Sequence, residues 1–155
     1  MISVIVPVHS HIKKYLLHRF NSTTGRIIAS TQIGYGITIL KIFQKKSPFD
    51  SKEVKVSYTE KISIEFSDYF SSHSGLYISN KNIALLNQAI KDDFEKSLFN
   101  HIMINITSNK DLEIETEILK YLAYFNINEE ELKLDSLKKS FYRWRKERNY
   151  LIHRA

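Results

Sequence analysis

The residues best suited to chemistry lie near the C-terminus, in a segment rich in bases and aromatic side chains. Residues 136–155 contain seven Lys/Arg against the single acid Glu147, a net charge of +6. Lysine and arginine neutralise phosphates, and arginine also hydrogen-bonds to base edges in the major groove. Tyrosine can bind phosphate oxygens or stack on bases. The candidate nucleic-acid-binding residues are Lys138, Lys139, Tyr142, Arg143, Arg145, Lys146 and Arg148.

A single helix is predicted to carry these residues, with Asp135 as its cap and its end near Tyr150. Apolar side chains recur at helical spacing and predict a stripe that faces the core. That stripe consists of Leu137, Phe141, Trp144 and Leu151. The bases fall on the other faces, which is the arrangement that insertion into a nucleic-acid groove requires. With about six phosphates neutralised, affinity should fall steeply with salt.

A second interpretation of the basic helix is structural. Cations near a helix C-terminus complement the macrodipole, and a run of charges is usually a solvated face. The preceding residues 111–135 carry eight acids against Lys120 and Lys133, a net charge of −6. These acids could pair with the bases inside the fold or across a dimer. On this interpretation the protein is a non-enzymatic virion component or adaptor whose basic helix docks on an acidic protein surface.

Metal and thiol chemistry find little support in the sequence. The chain has no cysteine, which excludes disulfides, thiolate metal sites and thiol nucleophiles. The only candidate metal cluster is the pair His9 and His11, with His18 one helix away, and a third ligand at a sensible spacing is missing. We therefore predict no metal site.

Catalytic patterns are equally sparse. Glu113 and Glu117 share one helix face, and we expect both to be solvated, with nothing to raise a pKa. Gly34 and Gly36 lack the third glycine and the strand–helix context of a dinucleotide site. These patterns predict that the protein is not an enzyme, has no catalytic residues and uses no cofactor.

The basic helix must be positioned by the rest of the chain, whose sequence patterns predict an α+β fold that is mostly helical. An N-terminal strand over residues 2–8, with Pro7 at an edge or a strand end, is expected to pair with the alternating residues 61–67 in a small antiparallel sheet. Helices are predicted over 11–20, behind a Ser10 cap, and over 80–103. Residues 27–46 fit both strand and helix, and we favour a helix over 32–45 because the lysines at its end complement a helix C-terminus.

The C-terminal region is predicted to be a separate helical unit. Residues 1–108 would form the α+β body, and residues 109–155 a tri-helical unit that resembles a helix-turn-helix. Its three pieces are residues 111–125, about one helical turn over 129–132, and the basic helix.

Two stretches of the chain are similar to small, mostly uncharacterised proteins of phages and mobile elements. Their C-termini join an acidic turn to a Lys-Lys-x-Tyr-Tyr-Arg-x-Arg helix, which the segments 124–132 and 137–146 resemble, with Asn126 in place of the usual turn glycine. Val6-Pro7-Val8 and the segment 13–16 resemble their N-termini. The resemblance implies a DNA-binding accessory or regulatory protein without catalytic residues.

The sequence also leads us to expect a compartment and a binding partner for the protein. The apolar N-terminus is too short for a signal-peptide core, and no apolar run has the length of a membrane span. We expect the protein in the cytoplasm of a bacterial host cell or associated with a virion. Its expected partner is nucleic acid, with DNA favoured over RNA, and the N-terminal part could supply a homodimer contact.

Overall fold

The structure, a computed structural model, describes residues 1–32, 34–46 and 57–152, with only the backbone for residues 150–152. Its fold is α+β, as predicted, with a small sheet packed on helices. The strands are β1 (Ile2–Val8), β2 (Arg26–Ile28) and β3 (Glu60–Phe66). The helices are α1 (Ser10–Arg19), α2 (Gly34–Phe43), α3 (Asp68–His73), α4 (Asn80–Ser108), α5 (Ile114–Tyr124) and α6 (Leu134–Ile152).

The predicted pairing of the N-terminal strand is confirmed. β1 runs antiparallel to β3, with Val4 opposite Ile64. The strand order β1-β3-β2 leaves β1 at an edge, where Pro7 is tolerated because its missing N–H would face away from the ladder. The carbonyl of Pro7 accepts a hydrogen bond of 3.2 Å from Nδ2 of Asn87 instead.

The sheet is mixed, whereas the sequence predicted only an antiparallel pair. β2 lies beside β3 in parallel, with Ile27 opposite Ile64. Three residues are too few to show a period of two, so only the partner strand makes this segment recognisable.

The helix favoured within residues 27–46 is confirmed as α2. Ile39, Leu40 and Phe43 of α2 are buried, and Ile33 lies outside the described residues. Gly36 permits close packing, since a Cβ atom there would overlap the carbonyl oxygen of Ser30 and lie 2.7 Å from its amide nitrogen.

The long helix is confirmed and extends further than predicted. Ser79 caps α4 by accepting the N–H of Asn82 at 3.1 Å. α4 ends at Ser108 rather than near Met103. The predicted inward-facing residues are all buried: Ile83, Leu86, Ile90, Phe94 and Leu98.

The cap predicted for the first helix is wrong. His9 rather than Ser10 is the N-cap of α1, and its side chain makes no capping hydrogen bond.

Packing divides the chain into two compact units, residues 1–91 and 92–155. The division falls inside α4, whereas the sequence placed a domain boundary at residues 108–109. The second unit therefore includes residues 92–108 of α4 together with α5 and α6. Whether residues 109–155 form a domain of their own stays a prediction.

Local hydrogen bonds fix the connection from α5 to α6. α5 ends in a Schellman motif, in which the N–H of Ile127 donates to the carbonyl of Leu122 at 2.9 Å and Asn126 adopts φ 55°. The single helical turn predicted over residues 129–132 is confirmed, since residues 129–131 form a turn in which the N–H of Leu132 donates to the carbonyl of Asn128 at 3.2 Å. Asn128 and Glu131 close it by exchanging backbone-to-side-chain hydrogen bonds of 2.9 and 3.1 Å.

Candidate functional site

The basic helix α6 is anchored by part of its predicted apolar stripe. Leu137 is 3% exposed and Phe141 is fully buried. The ring of Phe141 lies edge-on to Phe99 of α4, with the ring centroids 5.7 Å apart. Trp144 is only half-buried, and its ring centroid lies 5.5 Å from that of Phe99. The side chain of Leu151 lies outside the described residues.

The opposite side of α6 is cationic and solvent-exposed. At 3.6 residues per turn, Lys139, Arg143 and Lys146 project away from the Leu137–Phe141 stripe. Tyr142, half-exposed, and Arg145, exposed, flank them. Within the described part of the chain, none of these four bases forms an ion pair. We call Lys139, Tyr142, Arg143, Arg145 and Lys146 the cationic face.

Lys138, also predicted to contact nucleic acid, is held by α5. Its Nζ atom lies 2.9 Å from Oε2 of Glu115, and only about a third of its side chain is exposed. The hydrogen bond to the Glu115 carboxylate raises the pKa of Lys138 above its ordinary value. This base therefore neutralises an acid of its own chain.

Arg148, the last of the predicted contact residues, is held by α4 and by its own helix. Its Nη1 atom donates to Oδ1 of Asn100 at 3.1 Å. Its guanidinium carbon lies 5.2 Å from the ring centroid of Trp144, one turn earlier in α6, within the range of a cation–π contact. Five of the seven predicted residues thus lie together on the cationic face, whereas Lys138 and Arg148 are held by other side chains.

The connection between α5 and α6 is about as long as the sequence predicted, and it exceeds the turn of a DNA-binding helix-turn-helix. α5 ends at Tyr124 and α6 begins at Leu134, so nine residues join them. A DNA-binding helix-turn-helix uses a turn of about three to four residues. The exposed face of α6, rather than the α5–α6 connection, is therefore the candidate surface for contact with nucleic acid.

A second polar site lies between α4 and α5, where the sequence predicted a solvated carboxylate. Glu117 is 2% exposed, which contradicts that expectation. Its Oε1 atom accepts from Nζ of Lys120 at 2.9 Å and its Oε2 atom from Nδ2 of Asn105 at 2.5 Å. Nε2 of His101 lies 3.6 Å from Oε2. The hydrogen bonds from Lys120 and Asn105 lower the pKa of Glu117 below its ordinary value, more than burial raises it.

This buried acid had a weak signal in the sequence. Glu117 lies beside the predicted core residues Ile118 and Tyr121 on the helical wheel, at the border of the apolar stripe. Lys120, three residues later, is its local partner. The approach of α4 that buries the carboxylate has no signature within α5 itself.

The histidine cluster lies elsewhere, at the junction of β1 and α1. The rings of His9 and His11 stack with their centroids 5.7 Å apart. Among the described residues, no group of three or more His, Asp or Glu side chains could hold a metal ion. The absence of a metal site stays a prediction.

Comparisons with protein-family models, with curated proteins and with solved structures found no match for this chain. Across the residues that the structure describes, no helix is both long and apolar enough to cross a membrane.

Proposed function

We propose that this protein binds nucleic acid, with duplex DNA as its preferred form, through the cationic face of α6. The observation that carries the proposal is the exposure of Lys139, Arg143, Arg145 and Lys146 on a helix whose other side is anchored by Phe141. Because these bases have no acidic partner within the described residues, their charge is available to phosphates. A fixed helix also presents them without the entropic cost of ordering a flexible segment.

The contacts of Lys138 and Arg148 within the chain lower the number of phosphate contacts that we propose. Lys138 and Arg148 are bound to Glu115 and Asn100, so the cationic face offers four bases rather than the six or so contacts expected from the sequence. Release of counterions from about four phosphates of B-DNA gives a slope of log K against log salt near −3.6. Tyr142, half-exposed among the bases, can donate its hydroxyl to a phosphate or stack on an unpaired base.

The origin in a phage or mobile element, and a role as an accessory or regulatory protein, belong to the same proposal. A small cation-bearing protein without an evident catalytic constellation fits a role that acts by occupying nucleic acid. The cytoplasm of a bacterial host is the compartment where such a partner is present.

The test is fluorescence anisotropy of a labelled duplex across roughly 50 to 200 mM salt. We expect binding by the wild type, with a loss of about two from the magnitude of the salt slope in Arg143→Ala/Arg145→Ala. The matched control is Lys81→Ala/Lys96→Ala, which removes two exposed cations of α4 and should change binding little. Equal losses in both double variants would overturn the assignment to α6.

A second candidate function is docking of α6 on an acidic protein surface. The Lys138–Glu115 ion pair favours it, because this pair is an example of an α6 base bound to a carboxylate. If the wild type fails to bind any duplex or single strand at 50 mM salt, this candidate replaces the first.

A further inference from the structure

The second polar site, between α4 and α5, surrounds a cavity of about 590 Å³. Leu112, Tyr121 and Tyr124 contribute its apolar lining, and the polar lining comes from His101, Asn105, Glu117 and Lys120. A mostly apolar cavity of this size with a few converging polar groups is typical of a small-molecule site. All of these residues belong to the second unit, and none belongs to the cationic face of α6.

The chemistry of the cavity favours a cation. Its one buried charged group is the carboxylate of Glu117, and Asn105 already occupies Oε2. Oε1 faces the ammonium of Lys120, whose side chain is 61% exposed. An exposed lysine on a buried carboxylate is an exchangeable partner, because its release restores the hydration of its ammonium group while the acid stays in place. A ligand ammonium could therefore take the position of Nζ.

The aromatic side chains that line the cavity and the acidic charge near it also favour an ammonium ligand. Tyr121 and Tyr124 present aromatic rings, and aromatic faces attract ammonium groups and cover aliphatic chains. Tyr124 is 66% exposed, so its ring lies near the solvent side. Five of the lining residues belong to the segment 111–135, whose net charge of −6 raises the concentration of cations near it although the whole chain is basic.

We propose that this cavity binds an aliphatic amine, with the Oε1 atom of Glu117 accepting the ligand ammonium in place of Lys120 and Tyr124 and Leu112 covering its hydrocarbon chain. One available carboxylate oxygen suits a single ammonium better than a guanidinium, which binds both oxygens. Diamines fit best, because their second ammonium can remain in the acidic field outside the cavity. The proposal does not depend on nucleic-acid binding by α6.

The experiment is isothermal titration calorimetry of the full chain with putrescine as the probe, in the absence of nucleic acid. Lys120→Met removes the internal competitor, so we expect putrescine to bind about two- to fivefold more tightly than to the wild type. The control Lys133→Met removes the other lysine of the acidic segment and should change affinity much less. Weaker binding to Lys120→Met than to the wild type would overturn the proposal, because Lys120 would then hold an anion.

Two further variants separate the cavity from diffuse attraction. Glu117→Gln should abolish the putrescine signal, whereas Glu130→Gln, which removes an exposed acid of the same segment, should retain it. Equal losses of putrescine binding in these two variants would show that the acidic segment as a whole attracts the ligand, and would overturn the proposal. If Lys120→Met does not fold, Tyr124→Ala replaces it: Tyr124 is 66% exposed, and several-fold weaker putrescine binding is expected. Unchanged binding by Tyr124→Ala would overturn the cavity assignment.

Discussion

The Nζ atom of Lys138 lies 2.9 Å from the Oε2 atom of Glu115, so that the acidic helix α5 binds the basic helix α6 through one ion pair. The same contact removes Lys138 from the set of bases that face solvent. Of the two interpretations of the basic helix, internal pairing holds for Lys138, whereas nucleic-acid binding stays a proposal for the bases of the cationic face. Lys138 pairs internally, and Lys139, one residue later, faces away from the core.

Replacement of Trp144 by alanine should destabilise the second unit by about 1.5–3 kcal/mol. The ring contacts Phe99 and Phe141, and its loss leaves Arg148 without its cation–π partner. Because Trp144 is half-buried, we expect less than the roughly 3–5 kcal/mol that truncation of a fully buried aromatic costs. Urea unfolding measures the change. Tyr142→Ala, at a half-exposed position nearby, should change the free energy of unfolding by no more than about 0.5 kcal/mol. Equal losses of stability in the two variants would contradict the packing of Trp144 on Phe99 and Phe141.

Gly36→Ala should destabilise the protein by more than about 1 kcal/mol, because the new methyl group would overlap the backbone of Ser30. Gly34→Ala is the matched control in the same helix. Its Cβ atom would have no neighbour within 4 Å, and alanine is the better helix former by up to about 1 kcal/mol. Thermal unfolding of both variants compares them. A melting temperature of Gly36→Ala at or above that of Gly34→Ala would contradict the close approach.

The stability contributed by Glu117 should depend on pH in a defined direction. Its pKa is lowered in the folded state from 4.5 by the hydrogen bonds of Lys120 and Asn105. A lowered folded pKa stabilises the protein fully above the unfolded value, and this contribution is lost as pH falls through the folded value. The difference in melting temperature between wild type and Glu117→Gln should therefore be constant near neutrality and shrink below about pH 4.5. A difference in melting temperature that grows on acidification would contradict a lowered pKa of Glu117 in the folded state.

Asn126→Ala should cost about 1 kcal/mol, because Asn126 occupies the left-handed region at φ 55° in the Schellman motif that ends α5. Asn126→Gly should be close to neutral, since glycine adopts this conformation without a steric penalty but gains freedom in the unfolded chain. Urea unfolding of the two variants provides the measurement. An alanine variant as stable as the glycine variant would show that the backbone relaxes out of the left-handed conformation.

The sequence predicted well where a local period carried the signal. The alternation in residues 61–67 indicated β3, and the apolar repeat from Ile83 to Leu98 indicated α4. It missed β2 because three residues display no period, and it placed the end of α4 too early because polar residues such as Asn105 continue that helix. By contrast, the one helical turn expected over 129–132 is present, since Asn128 and Glu131 satisfy one another's backbone groups locally.

The sequence by itself determined the amphipathic character of α6, because its 3.6-residue period places Leu137 and Phe141 on one side and Arg143 and Lys146 on the other. Only the tertiary structure decided which bases of that helix are held by neighbouring side chains and which acid is buried. Those outcomes depend on Asn100, Asn105 and Glu115, which lie on other helices and are distant in sequence from the groups they hold. Burial and ion pairing arise from such non-local neighbours, whereas helical periodicity is a property of consecutive residues.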